Sequence, residues 1–452
     1  MENDWEKESS VFDWDQFSDS THEQKEDLVS EARSTFISSP TNHCLITKQL
    51  HTLSFYEVDE IARVVAICSW GRSGTHLLAS FLDNHDRVLM MAATRSRHIY
   101  TFFDQFKDLS LWDKLLTYPF FTKKFFGLPF FNIDWFEVSL PDYFAAVKAI
   151  YTVYRKRPRE YLQSSRAFFQ FVHVAYGVAA GWRPATRRPL MVYVQDDWDD
   201  IKAQKLIDDF PQAKFLHTMR DPISAFDRLF EYQIGLSDTD DGTKDQFSIT
   251  VPLIVARWLI RTDRPHPRME DRSRFVRFED LHCKTEETIR RVAAWLDLEF
   301  CSSLLQSTFD FGKPYFVSRK GKTWSGANPD QARRHSRNIS RLDRAFFYAL
   351  FYNDFVAWDY PYPPILRSAA VRVLILILLI FVPTKMECTV ARASLKLQVL
   401  PALREGNALF AISRLARILY CRIALIGLFG VESFRRLLRQ PRSVSVLTVK
   451  TS

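Results

Sequence analysis

RVVAICSWGRSGTHLLASFLDN, running from Arg63 to Asn84, is the stretch on which the fold turns. Its opening, Arg63 to Ser69, is a short apolar run rich in β-branched residues and reads as a buried strand. Gly71-Arg72-Ser73-Gly74-Thr75 follows as a tight turn carrying hydroxyls and a cation. From His76 to Leu82 the apolar spacing predicts a helix. Strand, glycine turn and helix in that order make a cradle for phosphate. The turn aims backbone N–H groups at an anion, and the helix N-terminus adds its dipole. Glycine lets the backbone approach a phosphate with no Cβ in the way. An ordinary strand-to-helix turn shares this pattern, so other segments have to decide.

Phe210-Pro211-Gln212-Ala213-Lys214 leads into a second apolar run, Phe215-Leu216-His217-Thr218-Met219, which ends in Arg220-Asp221-Pro222. This again reads as strand, turn and helix, with Pro222 suited to the first helical turn. Arg220 falls at the strand's C-terminal end, where open α/β sheets bind ligands. Its rigid fork of donors suits a phosphate. A salt bridge to Asp221 or another local acid is the competing use.

In these residues the chain resembles the sulfotransferase family, whose donor is 3′-phosphoadenosine-5′-phosphosulfate (PAPS). Trp70-Gly71-Arg72-Ser73-Gly74-Thr75-His76-Leu77-Leu78 is similar to the family's 5′-phosphosulfate loop. Phe210-Pro211 through Arg220-Asp221-Pro222 is similar to its 3′-phosphate segment. Lys322-Thr323-Trp324-Ser325-Gly326 is close to the W-x-G loop of the Golgi and bacterial branches. Ahead of it, Arg319-Lys320-Gly321 resembles the R-K-G that caps the 3′-phosphate in the cytosolic branch. Arg277-Phe278-Glu279-Asp280-Leu281 resembles a family strand end, with a helix expected at about Thr285 to Leu298. The matches stand in family order over about residues 62 to 360.

The resemblance implies an α/β fold of the P-loop NTPase-like sulfotransferase type, a central parallel sheet flanked by helices. It implies PAPS as co-substrate. Arg72 would act catalytically on the bridging and leaving oxygens. Gly71, Ser73, Gly74, Thr75 and His76 would surround the 5′-phosphate. Arg220 would hold the 3′-phosphate with Ser224, Arg228, Arg319, Lys320 and Gly321. Sulfuryl transfer asks for positioning and fixed positive charge, as phosphoryl transfer does. No metal is required, since arginines and a helix dipole neutralise the charge. No Cys or His cluster shows metal-ligand spacing.

Three positions depart from the family pattern. Arg228 stands where the 3′ segment usually carries a serine, His85-Asp86-Arg87-Val88 leads to Ala92-Ala93 where several branches place a glutamate base, and Gln195 replaces a lysine of the tyrosine-directed branch. His98 is the nearest candidate to accept the acceptor's proton, and Asp197 is a second. A solvated histidine beside Arg95 and Arg97, and a helix cap before Ile201, are the plain alternatives. A fold-retaining nucleotide-binding scaffold is the rival reading. A phosphotransferase is disfavoured: no Lys-Ser or Lys-Thr follows Gly74, and no glycine stands five before it.

The chain has 452 residues, 47% of them apolar, enough for a large core. The expected organisation is an acidic mobile tail (1–40), a catalytic domain (41–362) and a basic, apolar helical tail (363–452). Six scattered cysteines form no C-x-x-C, which favours a reducing compartment. Met1 to Ser30 is acidic and polar, with no signal-peptide pattern, so a cytoplasmic active site is expected. Aromatics between Tyr100 and Tyr176 could stack on a sugar of the hydroxyl-bearing acceptor, a glycan or glycolipid, or could simply pack a helical core. Ala369 to Val382 is apolar but shorter than the roughly 20 residues a span needs. Ala408 to Leu438 is apolar and studded with arginines. The last 88 residues hold 14 Lys and Arg against 3 Asp and Glu. Such helices suit the inner face of an anionic membrane, or they pack on the catalytic domain with basic residues outward. Nucleic acid is not expected as a partner, because the basic tail lacks interleaved aromatics.

Overall fold

The computed structural model describes residues 22–39, 50, 53, 57–69, 73–91, 98–126, 138–182, 185–195, 200–233, 267–314, 326–333, 339–437 and 446–447. A five-stranded sheet is built from β1 (Val64–Ser69), β2 (Val88–Met90), β3 (Leu190–Gln195), β4 (Lys214–Met219) and β5 (Ser273–Arg277). Its order is β2-β3-β1-β4-β5, and every pairing is parallel. The run that opens at Arg63 is therefore the central strand. It is continuously apolar because a parallel sheet is covered on both faces. After β1 the chain runs to the edge at β2, returns inward to β3 beside β1, then crosses to β4 and β5 on the other side. That reversal beside β1 is a topological switch point, where such sheets bind ligands. In the register Ser69 stands opposite Thr218, and Cys68 opposite Gln195.

Side chains alternate between the two faces of each strand. Ala66, Cys68, Met191, Tyr193 and Phe215 face one core. It is filled by α1 (His22–Ser38), α3 (Ile99–Gln105), α4 (Leu111–Phe126), α5 (Leu140–Tyr154), α6 (Ser165–Ala179) and α7 (Asp200–Asp209). Val65, Ile67, Val192, Val194 and Leu216 face the opposite core. There they meet α2 (Thr75–Leu82) and α10 (Thr285–Trp295), the latter preceded by α9 (Phe278–Cys283). A third core joins α8 (Pro222–Gln233) to α12 (Arg341–Leu350) and the C-terminal helices.

The 1–40 segment, expected to be mobile, needs correction over 22–38. There α1 buries Leu28 and Ala32, and Arg33 Nε donates to Asp113 of α4 at 2.8 Å. These two apolar residues one helical turn apart, with Val29 and Phe36 packed beside them, dock a helix whose other faces carry the acids. Residues 1–21 lie outside the described residues. The aromatic segment packs where it is described: the rings of Phe102 and Phe106 lie 4.6 Å apart, and Phe102, Phe121 and Phe168 are all buried. Phe130, Phe131, Trp135 and Phe136 lie outside the described residues.

The C-terminal region folds as α13 (Ala369–Phe381), α14 (Lys385–Ser394) and, beyond a short connecting helix, α15 (Ala408–Leu437). Leu379, Met386, Val390 and Leu425 share a core with Phe346, Phe347 and Leu350 of α12. Arg422 donates to Glu387 at 2.8 Å and to the Leu379 carbonyl. Further on, the Leu447 N–H donates to the Phe275 carbonyl at the free edge of β5 (2.8 Å). One side of the basic tail is thus packed on the domain.

Candidate functional site

The site begins where β1 ends. Trp70, Gly71 and Arg72 lie outside the described residues; Ser73 onward is described. Gly74 caps α2 with φ +91° and ψ 22°, a left-handed conformation. A Cβ there would sit 2.7 Å from Cδ2 of Phe278, so both the dihedral and the space call for glycine. Ser73 and Thr75 are buried, and their hydroxyls lie 2.8 and 3.0 Å from the Thr218 hydroxyl on β4. Thr218 gives its own hydrogen to the Cys68 carbonyl (3.3 Å), so its two lone pairs accept from Ser73 and Thr75. One hydroxyl at the end of β4 therefore locks the loop after β1 onto the sheet. His76 follows, half-buried in the first turn of α2. First-turn N–H groups have no partner within their own helix and face outward as anion donors.

At the end of β4 stands Arg220, only 4% exposed. Its guanidinium lies 4.1 Å from the centroid of the Phe278 ring, and Nη2 donates to the Gln331 carbonyl at 3.3 Å. Arg228, two turns along α8, donates to the Gln331 side chain at 3.0 Å. Gln331 lies on α11 (Pro329–Arg333), shortly after the segment that resembles the W-x-G loop. Burial pushes the Arg220 pKa down to about 10; Glu279 pulls it back up, while Arg228 pushes it down. Two guanidiniums that repel each other are thus held on one glutamine.

The surroundings fix this pair. Glu279 accepts the Asp221 N–H (3.2 Å) and the Tyr360 hydroxyl (2.6 Å), and burial raises its carboxyl pKa. Asp221 accepts the Ser224 N–H at 2.8 Å and so caps α8, which commits Ser224 to the helix start. Asp221 caps the helix, and the larger of the buried counter-charges to Arg220 is Glu279, with Asp221 adding to it. Burial and the Arg220 charge push His282 down to about 4, so it is neutral, and its Nδ1 accepts the Asn328 N–H at 2.8 Å. Phe278 touches both halves of the site, lying over Arg220 and against Gly74.

The structure thus brings Ser73, Gly74, Thr75 and Arg220 together at the ends of β1 and β4, with Ser224 and Arg228 on the helix that follows. Gly71, Arg72, Arg319, Lys320 and Gly321 lie outside the described residues, as does Asp197. His98 is not the solvated side chain of the plain reading: it is buried at the N-cap of α3, two residues before Tyr100, whose ring lies 6.3 Å from that of Tyr193 on β3. Gln195, at the end of β3, accepts the Tyr193 hydroxyl. Thr218, Phe278 and Gln331 were not singled out from sequence. Thr218 had a signal, a hydroxyl at the end of a mostly apolar strand, next to a candidate arginine. Gln331 had none, because only the fold carries α11 to α8.

A model of the sulfotransferase family matches residues 65–302. The chain belongs to the sulfotransferase family. The match opens within β1 and takes in the Ser73–Thr75 loop, Arg220 and Phe278. Among solved structures, the sulfotransferase domain from the curacin biosynthetic pathway is 14% identical, with a TM-score of 0.33, over 70% of this chain and 97% of that one. The sulfotransferase STF9 from Mycobacterium avium is also 14% identical, with a TM-score of 0.31, over 67% of this chain and 81% of that one. No curated protein sequence matches the chain.

Proposed function

We propose that this sulfotransferase moves the sulfuryl group of PAPS to a hydroxyl acceptor, a glycan or glycolipid. The observation that carries the reading is the Arg220–Arg228 pair, held on Gln331 beside a buried ring. A desolvated guanidinium with a second one nearby fits a dianionic phosphate, which relieves their repulsion and offers two oxygens to the planar guanidinium fork. A second anion cradle, the first turn of α2, starts one residue from the same Phe278 contact. Two anion sites joined across one ring suit a nucleotide phosphorylated at both ends.

Bound there, PAPS supplies the sulfuryl group and departs as the 3′,5′-bisphosphate. In this reading Arg220 and Arg228, with Arg319, Lys320 and Gly321, hold the 3′-phosphate, while Ser224 stays with the α8 cap. The loop from Gly71 to His76 holds the 5′-phosphate, with Arg72 placed to neutralise charge growing on the leaving oxygen. His98 is assigned to accept the hydroxyl proton. We place the active site in the cytoplasm, within a catalytic unit of residues 41–362 extended by α1 and by the C-terminal helices packed on it.

The test measures thermal stabilisation by 3′-phosphoadenosine-5′-phosphate against ATP, GTP and AMP at equal concentration, since a ligand bound only to the folded state raises the melting temperature by mass action. Radiolabelled PAPS with glycan and glycolipid acceptors then reads turnover. Preference for ATP or GTP overturns the donor assignment. Stabilisation without transfer to any acceptor supports a nucleotide-binding scaffold instead.

A further inference from the structure

The outward face of the C-terminal helices is apolar. In α15, Leu409, Ile412, Ala416, Leu419 and Ile423 follow a spacing of three and four residues, and all are exposed. Leu409 is 82% exposed, Ile412 61%, Leu419 62% and Ile423 60%. The opposite side, with Cys421 and Leu425, is buried against the domain. In α13, Leu374, Ile377, Leu378 and Phe381 repeat the pattern, with Phe381 75% exposed. No charged residue stands between Arg372 and Lys385. A helix on the outside of a water-soluble domain places charged residues opposite its buried side. These two helices place leucine and isoleucine there.

Charge says what covers this face. The whole chain carries +8, while the last 88 residues carry +11 from 14 basic and 3 acidic residues, which leaves −3 for residues 1–364. All of the positive balance sits in the segment with the outward apolar rows. In α15 Arg414 and Arg417 lie off the exposed row, while Arg422 is turned inward onto Glu387 and the Leu379 carbonyl. Such a border lets guanidiniums reach headgroups while the row enters the acyl boundary. A second copy of the chain would bring +11 against +11 across the contact, whereas an anionic lipid surface complements it. Among the described residues no helix is long and apolar enough to cross a membrane.

We propose that α13 and α15 dock this protein on an anionic bilayer, both lying in the interfacial plane with the Leu374–Phe381 and Leu409–Ile423 rows facing the acyl chains. The proposal deepens the membrane expectation for the basic tail and stands independently of the donor reading. Because α13 and α15 share a core with α8, the helix that begins beside Arg220, the docked surface and the donor site belong to one packed body.

The test uses the full chain and vesicles of phosphatidylcholine alone or mixed with phosphatidylserine. Sedimentation with the anionic vesicles is expected, with a part of the bound protein resisting high salt, since apolar insertion is not screened. The triple variant Ile412→Ser/Leu419→Ser/Ile423→Ser changes only exposed positions, so its melting temperature should stay close to that of the parent. Its salt-resistant binding should fall more than about tenfold. Separately, Leu419→Trp should be quenched by lipids brominated in the acyl chain. Three results overturn the proposal: full-length protein left in the supernatant with anionic vesicles, a triple variant that binds as well as the parent, or a stable dimer that the triple variant dissolves without any vesicle binding.

Discussion

Gly74→Ala is the smallest change that tests how the two halves of the site are joined. A non-glycine residue in the left-handed conformation costs about 1–2 kcal/mol. Gly74 holds φ +91°. The added methyl carbon would stand 2.7 Å from Phe278 Cδ2 and 3.4 Å from Cε2. Phe278 is buried, so the ring must be pushed aside within a packed core, an overpacking cost of about 1–3 kcal/mol. Together these predict a loss of about 2–5 kcal/mol, a large share of the roughly 5–15 kcal/mol that holds a domain folded. The displaced ring carries the guanidinium of Arg220, 4.1 Å from its centroid. Donor binding should therefore weaken at the far phosphate, although the substitution sits in the near loop.

The assay is thermal unfolding of Gly74→Ala, Phe278→Leu and the double variant, each with and without 3′-phosphoadenosine-5′-phosphate. Leucine removes the ring atoms that the methyl meets. The double variant should recover the overpacking part and retain the dihedral part, so the two changes should be coupled by about 1–3 kcal/mol. If Gly74→Ala melts like the parent and responds equally to the ligand, the left-handed cap and its contact with Phe278 are refuted. Additive effects would refute the contact alone.

Thr218→Val should lower stability by about 1–3 kcal/mol, because it leaves the buried Ser73 and Thr75 hydroxyls and the Cys68 carbonyl without their shared partner. Thr218→Ser should restore most of that loss in the same denaturant titration. Arg220→Ala should weaken donor binding by about 2–3 kcal/mol in calorimetry, as expected for a lost charge-assisted fork. Arg72→Ala should instead lower kcat with little change in donor affinity, and the reverse pattern would show the phosphate ends exchanged. Asp83, at the end of α2, accepts from Thr308 and from the Gly312 N–H, and burial raises its pKa from 3.8 to about 7, with the Asp310 charge pushing the same way. A carboxyl pKa raised by folding contributes stability that is full below pH ~4 and lost as pH rises through ~7, by at most about 4 kcal/mol. Asp83→Asn should flatten that fall in urea melts across this window, and an unchanged pH profile would assign it to other groups.

The central strands were legible because a buried parallel strand is mostly apolar along its length, as the runs ending at Ser69 and Met219 are. β2, only three residues long, carries too little periodicity to be read. The turns that follow β1 and β4 were legible as strand-to-helix turns from glycine, arginine and proline at fixed places after those strands. Thr218 and Gln331 were not, since their roles come from parallel register and from α11 returning to α8. The acidic N-terminal segment misled because composition outweighed the turn-spaced pair Leu28 and Ala32. The basic tail was legible as helices. Its two apolar sides could not be told apart without knowing which one α12 covers.

The tail is where fold and function meet. The boundary expected at residue 363 cuts through a continuous core, in which Phe346 and Phe347 of α12 pack with Leu379, Met386 and Leu425 from beyond it. The same core reaches Met219, Ile223 and Phe226, the strand end and helix start that flank Arg220. Phe226 and Phe347 lie 4.2 Å apart between ring centroids, which makes α12 the link between the helix that follows Arg220 and the C-terminal helices. Burying three or four such side chains is worth several kcal/mol, about 1.5–3 for each. The C-terminal helices are therefore held to the site from their inner side by ordinary core packing. Their outer side owes nothing to that packing, since leucines and isoleucines facing water add no stability to the folded chain. An apolar face that folding does not use, in the segment that carries all of the chain's positive balance, is the surface proposed above to dock on an anionic bilayer, whose charged surface and apolar interior meet both terms.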